Sequence, residues 1–267
     1  MKTDRSDNDR DNGSDNDSDR SSGGDVWEDI LERERVNEGQ VLLSYADAFR
    51  GLGLFDPTEQ KLGRGAFGHV YRLGSKDAPT GALKITRDVY DAMASHALIG
   101  KTHLHLPKTL NVWSLDETFV DEWAGWYAIE REYLHPLDKQ DTDLVEVLYQ
   151  VYDNDNIRNL KIPMRHNRAM RDKWRVYVRE ILTESDSVHL LPRTMELLAK
   201  IGEGVQELAA LGITWSDIHS DNIMRAGDNA LKIADVGLCD LRAKIEDIVV
   251  PTLPATPMHL PRLSRSS

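Results

Sequence analysis

An aspartate and an asparagine stand five positions apart in the run Ile213-Thr214-Trp215-Ser216-Asp217-Ile218-His219-Ser220-Asp221-Asn222-Ile223-Met224. Held on one tight loop, the two side chains face a common point. The Asp217 carboxylate can then hold an attacking hydroxyl, and the side-chain carbonyl of Asn222 can ligate magnesium. A second carboxylate, Asp235, follows the short apolar run Leu231-Lys232-Ile233-Ala234. It precedes Gly237, a hairpin position that would aim it at the same ion.

Upstream, Gly63-Arg64-Gly65-Ala66-Phe67-Gly68-His69-Val70 sets three glycines in a G-x-G-x-x-G-x-V arrangement. Positions without side chains let backbone N–H groups approach phosphate oxygens closely. Dinucleotide-binding folds use similar spacing, but there the motif follows a strand and opens a helix. Here β-prone residues lie on both sides, so a hairpin over a nucleotide fits better. Phe67 at its tip either caps the phosphates or is an exposed loop aromatic. Lys84, within Ala82-Leu83-Lys84-Ile85, puts an ammonium on an apolar strand. Facing inward, it needs a counter-charge that nucleotide phosphates would supply. Facing outward, it marks only an amphipathic strand.

In this order and at these spacings, the segments resemble those of the protein-kinase superfamily: glycine-rich loop, strand lysine, catalytic loop D-x-x-x-x-N and metal-binding D-x-G. The resemblance covers about residues 58–240. It implies an α+β, two-lobed protein-kinase-like fold, with an antiparallel-sheet N-lobe and a reduced, mainly helical C-lobe, and it implies ATP and Mg2+ as cofactors. Gly63, Gly65, Gly68 and Val70 would cover the nucleotide, and Lys84 would contact the α- and β-phosphates. Adenine would sit against a hinge around Ile129–Leu134, with Glu130 and Glu132 among the cofactor-binding residues. Asp217 would be the catalytic base, joined in the catalytic set by Lys84 and His219, while Asn222 and Asp235 hold magnesium. The run Asp217–Met224 is further similar to the catalytic loop of the early serine/threonine kinases of short-tailed bacteriophages, which carry D-x-H-S-x-N-I-M. That likeness implies transfer of the ATP γ-phosphate to a protein hydroxyl, on host proteins in the host cytoplasm if the chain is viral.

The pattern is broken in places. Trp215 and Ser216 replace the histidine and arginine that usually precede the catalytic aspartate, and a serine cannot pair with an activation-loop phosphate. Val236 stands where the family has phenylalanine. His219 occupies a position where protein kinases usually have lysine, and where aminoglycoside and choline phosphotransferases commonly have histidine. A small-molecule acceptor is therefore the alternative, and a pseudokinase acting by binding is the third reading. The helix after Lys84 contains no glutamate. Asp88 and Asp91 stand near its start, so no carboxylate from that helix is expected on Lys84, which leaves Asp235 as its counter-charge. The stretch after Asp235 is short for an activation segment, and Tyr133 to Thr194 is long.

Several elements must position these residues. Strands are expected at 58–63, 68–73, 82–85, 110–116 and 124–131. Helices are expected at 88–101 with Asp88 as N-cap, at 142–152, at 167–182 and at 194–211. The last has Leu198, Ile201, Val205 and Leu208 on one stripe and Gly212 as its stop. Residues 1–24 read as a disordered polar tail, 25–57 as an N-terminal helical extension, 58–134 as N-lobe and hinge, 135–245 as reduced C-lobe, and 246–267 as an extended, mobile proline-rich tail. With 40% hydrophobic residues the chain can build a core, and its net charge of -12 argues against a nucleic-acid partner. A single cysteine, Cys239, permits no internal disulfide and reads as a small buried hydrophobe. No apolar run is long enough to span a bilayer, so a cytoplasmic protein without a membrane partner is expected. The oligomeric state is left open.

Overall fold

Alternating apolar residues on both sides of the glycine-rich segment pair into a sheet. In the computed structural model the described residues are 49–50, 54, 61–65, 68–115, 125–153, 161–163, 167–237, 239–241 and 248–253. All lie within the compact unit Ser44–Ser267. The tail expected at 1–24, the helices expected before Phe49, and Ala66, Phe67 and the chain beyond Leu253 fall outside the described residues.

Strands β1 (Lys61–Gly65), β2 (Gly68–Gly74), β3 (Pro79–Thr86), β4 (Thr109–Leu115) and β5 (Tyr127–Arg131) form an antiparallel sheet in the order β1-β2-β3-β5-β4. In its register Val70 lies opposite Lys84, and Lys84 opposite Ile129. Cross-strand partners share a face, so Val70 and Ile129 flank the lysine on one side of the sheet. The hairpin needs Gly68 for its own packing. A Cβ there would overlap the Ile85 carbonyl oxygen and stand 2.8 Å from Thr86 Cα. Both are backbone atoms of β3, so the strands would have to part. Gly68→Ala is therefore expected to destabilise the fold by about 2 kcal/mol. The effect should be read as a lower urea midpoint at unchanged slope.

Helix α1 (Val89–Ala97) starts two residues after β3. Asp88 caps it as expected, its Oδ1 accepting from Tyr90 N at 2.8 Å and Asp91 N at 3.2 Å. It ends earlier than expected, in a turn with Gly100 at φ 73°.

The rest is mainly helical: α2 (Lys139–Tyr152), α3 (Arg168–Glu184) and α4 (Leu191–Ala210). Each begins at a local signal: the Asp138 carboxylate caps α2, the Asn167 side chain caps α3, and Pro192 lies in the first turn of α4. Gly212, at φ 84°, stops α4. Leu144, Leu148, Trp174, Val178, Leu198 and Leu208 form the middle of one apolar core. Each such buried side chain contributes roughly 1.5–3 kcal/mol. That core extends to Trp215, Ile218, Ile223, Ile233 and Val236, so the segments bearing Asp217, Asn222 and Asp235 are anchored in it. Cys239 is buried in the same core, as expected. Among the described residues no helix is long and apolar enough to cross a membrane.

Short strands frame the site: β6 (His135–Pro136), β8 (Ile223–Arg225) and β9 (Leu231–Ile233) form one small sheet, and β7 (Ile213–Thr214) pairs with β10 (Asp240–Leu241). The α+β architecture of an antiparallel sheet followed by a helical lobe is the one expected. The proline-rich tail differs from expectation at its start. There β11 (Thr252–Leu253) joins the edge of β4 in parallel, Ser114 N donates to Pro251 O at 2.8 Å, and Leu253 is buried. The extended conformation that proline favours also suits an edge strand, whose outer N–H groups need no partner.

Candidate active site

Three backbone features bring the candidate residues together. The first is the turn before β8. Ser220–Asn222 make one 3-10 turn, which places the Asn222 side chain back over Asp217. Asn222 Nδ2 donates to Asp217 Oδ2 at 2.7 Å and to the Asp217 main-chain carbonyl at 2.9 Å. With its nitrogen so engaged, the Asn222 Oδ1 is the atom left to ligate a cation. His219 Nε2 lies 3.5 Å from the same Asp217 oxygen. Asp221 is exposed, consistent with shaping the loop rather than serving the site.

The second is the β8–β9 hairpin. Ala234 N donates to Asn222 O at 2.7 Å, so Asp235 leaves β9 beside the asparagine. Gly237 N then donates to Asp235 Oδ1 at 3.0 Å, closing a turn that holds the carboxylate. Trp215 Nε1 donates to the Asp235 main-chain carbonyl at 2.9 Å. The indole thus ties the Asp217 loop to the turn that carries Asp235. Trp215→Phe keeps the ring and removes the donor. A net loss of about 1.4 kcal/mol in positioning corresponds to roughly tenfold in kcat/KM. Initial rates at matched folded fraction would check this.

The third is the β3–α1 connection. Lys84 Nζ donates to Asp235 Oδ2 at 2.7 Å, as the reading of Asp235 as counter-charge requires. It also lies 2.7 Å from Asp91 Oδ2, which corrects the expectation that no carboxylate of this helix would reach it. The helix starts where expected, and its direction makes the difference. Side chains on a helix lean toward its N-terminus, so a first-turn residue of a helix that begins just after β3 points back at that strand. Asp91 is fully buried, and Ser95 Oγ donates to its other oxygen at 3.2 Å.

A further cation completes the cluster. Arg131, at the end of β5, is buried and donates to the Ala234 carbonyl, directly before Asp235. Burial opposes ionisation of Asp235, but the Lys84 ammonium, the Arg131 guanidinium and the hydrogen bonds from Lys84 and Gly237 N bring its pKa down to about 2. Burial alone would lower Lys84, and the carboxylates of Asp91 and Asp235 outweigh it, holding the ammonium above its ordinary pKa. Burial raises Asp91 above the ordinary carboxylate range, with Lys84 offsetting only part of that. Arg131, Asp91 and the Trp215 hydrogen bond were not among the expected site features. Only a buried-arginine argument at the end of a strand would have flagged Arg131 in advance.

The remaining expected residues are placed as follows. Gly63 has open space where a Cβ would stand, and Gly65 lies opposite Gly68 at the hairpin end. Val70 lies across from Lys84. Glu130 is buried and accepts from Asn111 Nδ2 at 2.7 Å. Glu132 accepts from Lys108 N at 2.7 Å and lies 3.4 Å from Lys232 Nζ. Both carboxylates are therefore committed to partners within the protein.

The donor set fits magnesium. An ionised Asp235 and a carboxamide oxygen of Asn222 are hard oxygen ligands, and this ion is typically held by one or two carboxylates plus nucleotide phosphates.

No protein-family model matches the chain, and no curated protein matches it in sequence. Among solved structures, it is similar to a chain in the CAK complex from Chaetomium thermophilum bound to ATP-gamma-S, at 20% identity and a TM-score of 0.33. The likeness covers 69% of this chain and 47% of that one, so this chain spans about half the length of that neighbour.

Proposed function

We propose that the protein is an ATP-dependent phosphotransferase acting on serine or threonine hydroxyls of a protein acceptor. The observation that carries this reading is the chain of contacts from Asp217 to Asn222, from the Asn222 carbonyl to Ala234 N beside Asp235, and from Asp235 to Lys84. In this reading Asp217 is the base, Asn222 and Asp235 the cation ligands and Lys84 the phosphate-binding ammonium. Asp217 holds the acceptor hydroxyl and takes its proton as that oxygen bonds to the γ-phosphorus and the bond to the β-phosphate oxygen breaks. Lys84 turns from Asp235 toward the α- and β-phosphates, Asp91 remaining as its counter-charge. Asn222 and Asp235 would hold Mg2+, which when bound neutralises charge on the phosphates. The hairpin of β1 and β2 covers them, and the main chain just beyond the paired strand β5, at residues 132–134, receives the base. Catalysis is mainly positioning and electrostatic stabilisation. The partners proposed are protein acceptors in the cytoplasm, with neither nucleic acid nor membrane.

The test is transfer of radiolabelled γ-phosphate to proteins of a cell lysate, set beside a panel of small alcohols. Label in protein hydroxyls supports the proposal. Label only in small alcohols favours the second reading, which the approach of His219 to Asp217 recommends. Nucleotide binding without any turnover favours a pseudokinase.

Activity should not depend on phosphorylation of the chain. Position 216 is an exposed serine, so no arginine precedes the base to order a phosphorylated segment. Phosphatase treatment of a chain ending at Leu253, which keeps β11, is expected to leave initial rates unchanged. A loss that rephosphorylation restores would contradict this.

A further inference from the structure

Helix α3 carries its charge against its own stability. Residues 158–179 hold eight Lys or Arg against the single Asp172, leaving a net −19 for the rest of a chain whose total is -12. Within α3, Arg168 and Arg171 occupy the first turn, where no acidic residue stands, and Glu180 and Glu184 lie toward the C-terminus. That order opposes the helix dipole at both ends. The pairs Arg168/Arg171, Arg171/Arg175 and Arg175/Arg179 are three or four residues apart, so like charges also repel along one stripe.

Arginines elsewhere in the chain show the contrast. Arg193 and Arg225 both hold the buried Asp141, and Arg131 holds the Ala234 carbonyl. On α3, Arg168, Lys173, Arg175 and Arg179 are exposed, and among the described residues their one ion pair is Arg168 with Asp172 at 4.0 Å. Lys161 adds to the patch: its carbonyl accepts from Trp174 Nε1 at 3.2 Å, which sets this exposed lysine beside the helix. The neighbouring side of α3 is committed to the core through Trp174, Val178 and Leu182.

We infer that the exposed basic face of α3 docks an acidic segment of the acceptor protein. This rests on the phosphotransferase reading and names its substrate class. The charge of the patch selects an anion, and its surroundings select a short one. The net −19 carried by the rest of the chain disfavours a long polyanion, whereas an acidic peptide need cover only the helix. The helix belongs to the lobe of the catalytic loop. It packs on α2, whose Glu146 accepts from Ser220 N of that loop at 3.3 Å.

The test compares the full chain with Arg168→Gln/Arg175→Gln/Arg179→Gln, using three serine peptides of equal length with acidic, neutral or basic flanks and a single-stranded oligonucleotide. Binding is followed by fluorescence anisotropy at two salt concentrations, transfer by initial rates, and ATP binding by calorimetry. The expected result is salt-sensitive binding of the acidic peptide, weakened about tenfold in the variant as three exposed ion pairs are lost. KM for that peptide should rise by the same factor, with kcat and ATP affinity unchanged. The variant should also melt no lower than the parent, since its charges no longer oppose the helix. Equal binding of acidic peptide by parent and variant, or preference for the oligonucleotide, overturns the inference. If the parent binds the acidic peptide through these arginines but phosphorylates none of the three, the docking surface stands and the protein-acceptor reading falls.

Discussion

Asp217→Ala is expected to lower phosphotransfer at least about a hundredfold while leaving ATP binding nearly intact. The residue is half-buried on the loop, and its main contacts there are with Asn222 and His219. None of the three charged groups around Lys84 (Asp91, Asp235 and Arg131) depends on it directly, so nucleotide binding should survive. On the proposed mechanism, truncation removes the carboxylate that would hold the acceptor hydroxyl. Asp217→Asn provides the control, because it keeps the volume and a carbonyl acceptor for Asn222 but cannot take a proton. Both variants should bind nucleotide with the parent's affinity in a calorimetric titration and fail in single-turnover transfer. Near-normal turnover by either would remove Asp217 from the mechanism.

Lys84→Met should be the most damaging single change to stability. The methionine fills the space of the lysine stem but strands Asp91, which is fully buried and has only Ser95 to hydrogen-bond one oxygen. Removing one partner of a buried pair typically costs about 3–5 kcal/mol, more than the pair itself contributes, because a charge is left without compensation. Asp235→Asn should cost much less, since Asp235 is partly exposed and Lys84 keeps Asp91. The two variants are therefore expected to separate clearly in urea denaturation, with nucleotide binding impaired in both. The sign with pH follows. Burial already holds Asp91 above the ordinary carboxylate range, and without the ammonium it moves higher. A carboxyl whose folded pKa lies above its unfolded value favours the folded state at low pH, and that contribution is lost as pH rises through the folded pKa. The deficit of Lys84→Met should thus be smallest in acid and grow toward neutrality. A variant as stable as the parent at neutral pH would show that the Lys84–Asp91 pair does not form in solution.

Much of the site was legible because its chemistry is local. Asp217 and Asn222 sit within one turn, and Asp235 lies a single hairpin away, so spacing alone brings them near one another. The strand, turn and helix signals were local too: Asp88 caps α1, Gly212 stops α4, and the stripe Leu198, Ile201, Val205 and Leu208 is buried. Each depends on residues a few positions apart, where backbone geometry leaves little freedom.

Other features depend on how separate elements pack, and no spacing encodes that. Asp91 looked too near the start of its helix to serve Lys84, yet the direction of α1 against β3 carries it there. Arg131 and Ala234 are far apart in sequence and meet only when β5 and β9 face one cleft. Gly68 reads as a phosphate-cradling glycine, but the backbone of β3 already forbids any side chain at that position. Residues 252–253 join the edge of β4, a pairing between segments far apart in sequence. Local hydrogen bonding and apolar periodicity thus determined the elements and the paired residues of the loop. The charge balance around Lys84 was decided by tertiary packing, because a buried ion's partners are set by whichever surfaces the core brings together.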